Sequence, residues 1–158
     1  MNNTLITYFS ASGTTKKEAQ NLAKMLNAEL FEIEPVDIYS SSDLDWTDKN
    51  SRTTIEMNDK SSRPKIKNKV ENINEYNTII IGFPAWWYTV PTIINTFIEE
   101  NDLTNKNIYI FVTSGGSSYG GCLKDLRNTY PNVNFIEGRR ITNKDSLEEF
   151  KNIILDRI

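Results

Sequence analysis

Five short apolar runs recur along this chain, and polar or helical segments separate each run from the next. The runs are residues 5–9, 29–34, 78–82, 108–113 and 133–136. The third and fourth are apolar at consecutive positions, which is typical of strands in a parallel sheet whose two faces are both covered by helices. The pattern predicts an α/β fold, a three-layer sandwich with a five-stranded parallel sheet.

Apolar residues at helical spacing predict the helices between and after these strands. Pro91 suits the first turn of one helix, and Pro131 closes another. The segment 35–72 is polar and of low hydrophobicity, and we expect one helix within about residues 48–58. The residues that carry the helical pattern are Ala19, Leu22, Ala23 and Leu26; Ile93, Ile94, Phe97 and Ile98; Leu123, Leu126 and Tyr130; and Leu147, Phe150, Ile153 and Ile154.

The length and composition of the chain exclude several classes of protein. A chain of 158 residues fits one domain, 1–158, and a single cysteine with no histidine excludes an internal disulfide and the usual zinc sites. The net charge of −3 argues against a nucleic-acid partner. The first residues carry no basic segment and the apolar run after them is too short to span a membrane, so we expect a cytoplasmic protein. A small molecule or another protein is the expected partner.

The first strand runs directly into a hydroxyl-rich turn and then into a helix. The turn consists of Ser10, Ala11, Ser12, Gly13, Thr14 and Thr15. A helix start offers unpaired N–H groups and the positive end of the helix dipole, so this turn could hold a phosphate without a lysine. An ordinary Ser/Thr N-cap is the alternative interpretation.

Glycines mark two further loops that follow strands. Gly82 closes the third run, and Gly115, Gly116, Gly120 and Gly121 follow the fourth. The loops that follow parallel strands meet at one edge of the sheet, where ligands bind. The aromatic loop, residues 83–88, offers Trp86, Trp87 and Tyr88 for stacking on a flat ring, although core packing or an interface also explains a Trp pair. A phosphorylated planar heterocycle fits the three loops together.

Two stretches of the sequence have the spacing of known catalytic motifs but lack residues that the chemistry of those motifs requires. Residues 116–120 have the G-x-S-x-G pattern of a hydrolase nucleophile, but the chain has no histidine to act as the base. Gly116 and Gly121 have the spacing of a phosphate-binding P-loop, but Cys122 and Leu123 stand where lysine and Ser/Thr are required. A triad hydrolase and a P-loop NTPase are therefore rejected.

Three motifs in this order resemble the flavodoxin-like family. Residues 10–15 are similar to its [ST]-x-[ST]-G-x-[ST] phosphate loop, residues 82–87 with Pro91 to its flavin loop, and residues 113–121 to its third loop. The resemblance covers nearly the whole chain except 35–72. It implies the short form of the fold, with strand order 2-1-3-4-5 and noncovalently bound FMN.

The resemblance also implies the residues of a flavin site. We expect no catalytic side chain in it, and the composition argues against a metal. The phosphate would lie against Ser10, Ala11, Ser12, Gly13, Thr14 and Thr15, with Ala11 contributing main chain only. One side of the flavin would lie against Pro84, Ala85, Trp86, Trp87 and Tyr88, and the other against Ser114, Gly115, Gly116, Tyr119 and Gly121.

Three functions remain open at this level. The first is an electron carrier that serves redox partner proteins; the second is an NAD(P)H-dependent reductase of a quinone or other small acceptor. The absence of histidine agrees with both, because the flavin itself performs the redox chemistry. The third is a flavin-free module that binds a protein through its aromatic loop.

Two further features allow more than one interpretation. The segment around Asp43, Asp45 and Trp46 covers the flavin, binds a partner or forms a solvated crossover; Trp46, Arg52 and Arg63 are candidates for substrate contact. Cys122 begins a helix, where a lowered thiol pKa or inert packing are the alternatives.

Overall fold

The computed structural model describes residues 3–45, 47–86, 90–113 and 119–157. Its sheet has five parallel strands in the order β2-β1-β3-β4-β5, as the resemblance implied. The strands are β1 (Thr4–Tyr8), β2 (Glu29–Glu32), β3 (Thr78–Pro84), β4 (Asn107–Thr113) and β5 (Asn134–Arg140).

Helices connect and flank these strands. They are α1 (Thr14–Leu26), α2 (Arg52–Asn58), α3 (Thr92–Glu100), α4 (Tyr119–Thr129) and α5 (Lys144–Leu155), with a 3₁₀ turn at Ile73–Glu75. The predicted helix within residues 48–58 corresponds to α2. Among the described residues, no helix is both long enough and apolar enough to cross a membrane.

The two faces of the sheet bury different helices. Successive side chains of a strand point to opposite faces, and in β3 Ile80 contributes to one core whereas Ile79 and Ile81 contribute to the other. The first core contains side chains of α1 and α5, and the second contains side chains of α3 and α4. This arrangement is the predicted three-layer sandwich, and it explains why the central strands are apolar at every position.

The ends of three strands come together at one edge of the sheet. Tyr8, at the end of β1, pairs with Gly82 of β3, and Pro84, at the end of β3, pairs with Thr113, at the end of β4. The segments that follow β1, β3 and β4 therefore start side by side, which is the placement that the glycine pattern predicted.

Four predicted strand ends need correction. β1 ends at Tyr8 and β2 at Glu32, before the predicted residues 9 and 34. β3 continues to Pro84, so Gly82 lies inside the strand rather than closing it. The ring of Phe111 explains this glycine, because an added Cβ at Gly82 would lie 2.1 Å from Phe111 Cζ. β5 extends to Arg140, past the predicted end at residue 136, because the main chain continues its pairing with β4 through polar residues.

Candidate functional site

The turn after β1 has the backbone geometry that an anion site requires. Gly13 is the N-cap of α1, with φ 96° and ψ −14°, a left-handed conformation that glycine adopts without steric cost. Its N–H donates to Ser10 Oγ at 3.0 Å, which closes the turn. Ser12, Gly13 and Thr14 are exposed, so the outer surface of the turn is open to a ligand.

In the part of the chain that the structure describes, no side chain caps the start of α1, and no acidic residue lies in the first turn of this helix. By contrast, the side chain of Ser51 caps α2, and that of Asn143 caps α5. The interpretation of the turn as an ordinary Ser/Thr N-cap is therefore wrong, since the N-cap residue is a glycine. The exposed N–H groups and the positive end of the α1 dipole leave a place suited to an anion.

A hydrogen bond ties this turn to the third loop. Thr15 Oγ1 and Thr113 Oγ1 lie 2.6 Å apart, and the two residues are 2% and 5% exposed. Thr15 is thus the buried member of the predicted phosphate set, and its hydroxyl already has a protein partner. The bond fixes the start of α1 against the end of β4.

The aromatic loop leaves β3 at the same edge. Pro84 is half-buried, Ala85 is buried, and Trp86 packs against the core. The Trp86 ring meets Phe9 edge-on, with centroids 5.7 Å apart and an interplanar angle of 90°. It also meets Tyr39 at 5.6 Å. Core packing therefore accounts for part of the Trp86 surface, and the predicted contacts of Trp87 and Tyr88 lie outside the described residues.

The third loop is described only where it becomes helical. The predicted site residues Ser114, Gly115 and Gly116 lie outside the described residues, whereas Tyr119 and Gly121 belong to the first turn of α4. Tyr119 is half-buried and lies beside Arg139, whose guanidinium carbon is 5.5 Å from the ring centroid. The structure thus places Tyr119 against β5, while Gly121 is exposed.

Tyr39 was missed by the sequence analysis. It lies in the polar segment, yet it is 7% exposed and its ring contacts Phe9 and Trp86. Its hydroxyl donates to Glu56, and burial together with that carboxylate raises the pKa of Tyr39 above its usual range. The segment 35–72 is therefore not only a solvated crossover, because its Tyr39 packs against Trp86 of the aromatic loop. A single tyrosine among serines and aspartates gave no periodic signal that could have predicted this contact.

Two candidate substrate contacts have structural partners instead. The Arg52 guanidinium stacks 3.7 Å from the centre of the Tyr39 ring and pairs with Glu56 at 2.9 Å. Arg63 pairs with Glu99 through two hydrogen bonds, of 3.0 and 2.9 Å. Trp46, the third candidate, lies outside the described residues.

Cys122 is a packing residue. Its side chain is fully buried in the core under α4, and burial raises the pKa of its thiol to about 12. The alternative of a lowered thiol pKa is therefore wrong. In the described part of the chain, no cluster of cysteines and carboxylates is suited to hold a metal ion.

The family model described as Flavodoxin matches residues 3–156. The chain belongs to the flavodoxin family. No curated protein matches it by sequence.

Solved structures of flavodoxin-like proteins agree with this assignment. A candidate flavoprotein from Bacteroides eggerthii DSM 20697 is 43% identical, with coverage of 98% of this chain and 99% of its own, and a TM-score of 0.92. Another from Bacteroides uniformis ATCC 8492 is 44% identical, with 98% of both chains covered and a TM-score of 0.90. A flavoprotein from Lactobacillus acidophilus NCFM, solved in complex with FMN, is 25% identical over 96% of this chain and 99% of its own, with a TM-score of 0.75.

Proposed function

We propose that this flavodoxin is a redox protein that transfers electrons through noncovalently bound FMN. The observation that carries the proposal is the start of α1, where an uncapped helix terminus, a left-handed Gly13 and exposed hydroxyls lie at the edge shared by β1, β3 and β4. The FMN complex of the Lactobacillus acidophilus protein supports the choice of flavin.

The phosphate of FMN would lie on the turn after β1. The hydroxyls of Ser10, Ser12 and Thr14 and the N–H groups of the first turn of α1 would donate to its oxygens, which suits an acceptor-rich dianion at a helix N-terminus. Thr15 holds this turn in place through Thr113. Because the helix dipole and neutral donors supply the attraction, the site needs no cation.

The flavin ring would lie between the aromatic loop and the third loop. Pro84, Ala85, Trp86, Trp87 and Tyr88 would line one side, and Ser114, Gly115, Gly116, Tyr119 and Gly121 would border the other. When bound, FMN supplies the redox chemistry, so the protein's part is to bind it, orient it and exclude water around it. A chain without histidine is adequate for that part.

Flavin binding is tested by titrating the purified chain, stripped of flavin, with FMN and with riboflavin. FMN is expected to bind one to one, with quenched flavin fluorescence, and riboflavin to bind at least about tenfold more weakly because it lacks the phosphate. Equal affinity for both would contradict the placement of the phosphate. A chain that binds neither and shows no change in Trp fluorescence would be the flavin-free module.

The electron donor is tested by anaerobic stopped-flow mixing of the FMN-loaded protein with NADH or NADPH, followed by a quinone. A carrier is expected to stay oxidised with both nucleotides and to be bleached only after addition of a partner flavoprotein reductase. Rapid bleaching by a nucleotide, with turnover of the quinone, would instead identify a reductase of small acceptors.

A further inference from the structure

A concave site lies on the face of the sheet that α3 and α4 cover. It is a cleft of about 110 Å³ between these two helices and the crossover segment. Val90 and Thr92 line it from α3 and its approach, Asp125 from α4, and Met57 and Lys60 from the crossover. None of these residues belongs to the predicted flavin site.

The cleft contains a buried polar group without a partner. Thr92 is 5% exposed, and its Oγ1 has no hydrogen-bond partner among the described residues. Buried hydroxyls are normally paired, and leaving one unpaired is costly. Since Thr92 lines the cleft, a molecule held there would supply the missing partner.

The same residue begins a helix. Thr92 is the first residue of the nine-residue α3, whose start is not capped by a side chain of the described residues and whose first turn holds no acidic residue. The positive end of the α3 dipole therefore acts at the place where the Thr92 hydroxyl is unpaired. The dipole favours a group with negative charge, and the Thr92 hydroxyl can donate a hydrogen bond to such a group.

A hydrogen-bonded network fixes the walls of the cleft. Arg63 donates to the carbonyls of Lys60 and Ser62 and pairs with Glu99 on α3. Glu99 accepts from the Tyr130 hydroxyl, which in turn accepts from Asn95 Nδ2 at 3.0 Å. The crossover is thus fastened to α3, so the cleft is held by specific contacts.

The charges of the lining suit a small monoanion. Glu99 neutralises Arg63, whereas no ion pair of the described residues involves the Lys60 ammonium. One ammonium balances one negative charge, so a monoanion fits this lining better than a dianion does. Met57 and Val90 add apolar surface for a short carbon chain.

We propose that this cleft binds a small monocarboxylic acid, whose carboxylate accepts from the Thr92 hydroxyl and the first turn of α3 and lies within reach of Lys60. The proposal concerns a site separate from the flavin site and does not rest on FMN binding. It would give a flavodoxin a second small-molecule site beside the helix that follows its aromatic loop.

The test is an NMR titration of the full chain, both with and without FMN. The probes are propionate, its neutral analogue propionamide and inorganic phosphate. Propionate is expected to cause saturable shifts at the amides of Thr92 and Ile93, with propionamide and phosphate each binding about tenfold more weakly or worse. Absence of a saturable shift, or tighter binding of phosphate, would overturn the proposal.

The Thr92→Val variant removes the hydroxyl at nearly constant shape. It is expected to bind propionate about tenfold more weakly and to melt at the same temperature as the parent or higher, because it loses an unpaired buried hydroxyl. Thr96→Val is the matched control: Thr96 is a buried threonine on the same helix, and its hydroxyl bonds to the Thr92 carbonyl. Equal propionate affinity in Thr92→Val and the parent would show that the hydroxyl has no ligand.

Discussion

At the scale of single residues, Gly13 decides whether the turn after β1 can form. Its φ of 96° is in the left-handed region, which costs other L-residues about 1–2 kcal/mol. Apart from its chain neighbours, no atom of the described residues lies within 4 Å of where its Cβ would be, so the obstacle to substitution there is the backbone conformation. That open space is where the proposed phosphate would approach.

The Gly13→Val variant is therefore expected to lose at least about tenfold in FMN affinity, because a β-branched residue disfavours the left-handed turn and fills the anion's approach. Asparagine tolerates this conformation better, so Gly13→Asn is expected to retain more of the binding. Flavin fluorescence titration measures both affinities. Parental affinity in Gly13→Val would show that the phosphate lies elsewhere.

At the scale of the elements, β3 and β4 depend on a glycine placed under an aromatic ring. Gly82 pairs with Phe111 in the sheet, and the ring lies over the position that a Cβ would occupy. In this register, a side chain at position 82 would force the Phe111 ring to shift. The ring belongs to the core shared with α1 and α5, so the fit also positions those helices.

Gly82→Ala is expected to destabilise the protein by about 1–3 kcal/mol through overpacking, measured by urea unfolding. In the double variant with Phe111→Leu, the two effects are expected to be less than additive, since the smaller side chain vacates part of the space that the methyl needs. Strictly additive losses would mean that the Phe111 ring is not the obstacle.

Local pattern predicted most of the elements, and long-range contacts explain the errors. The consecutive isoleucines of β3 and the leucines at helical spacing in α4 form local patterns, and these patterns are enough to predict a buried strand and a half-buried helix. Gly82 was interpreted as the end of a strand because glycine usually marks a turn, whereas its role depends on a ring in another strand. Tyr39 likewise owes its burial to Phe9 and Trp86, which no local pattern connects to it.

At the scale of the whole molecule, the order of three motifs predicted more than any one of them. A parallel sheet places the ends of β1, β3 and β4 at one edge, so motifs after those strands had to converge. The sequence could not reveal the cleft beside α3, because its lining comes from three separate segments. Their meeting depends on how the crossover packs, and the crossover has no strong periodicity.

The absence of histidine gives the whole molecule a simple stability profile against pH. No side chain type with an ordinary pKa near 7 is present, so the free energy of unfolding is expected to be nearly constant between about pH 6 and 8. Burial and neighbouring carboxylates raise the pKa of Tyr8 and of Tyr130 from 10.0 to about 12. Burial also raises the pKa of the Cys122 thiol from 9.0 to about 12. The unfolded chain therefore releases these protons at lower pH than the folded protein does, and stability falls as the pH rises from about 9 to 12.

Urea unfolding at a series of pH values checks this profile. Tyr130→Phe is expected to make the alkaline decline shallower, because one of the raised pKa values is removed. A decline that begins near pH 7 instead would mean that a group outside this set titrates on unfolding.

Thr15 and Thr113 are joined by one hydrogen bond between their hydroxyls, and either hydroxyl can be the donor. An acceptor that takes the Thr15 hydrogen obliges Thr113 to donate in return, which reverses the direction of the bond. Binding at the turn after β1 would thereby change which lone pairs Thr113 presents at the start of the third loop. This coupling needs only the rotation of two O–H bonds and no movement of the backbone.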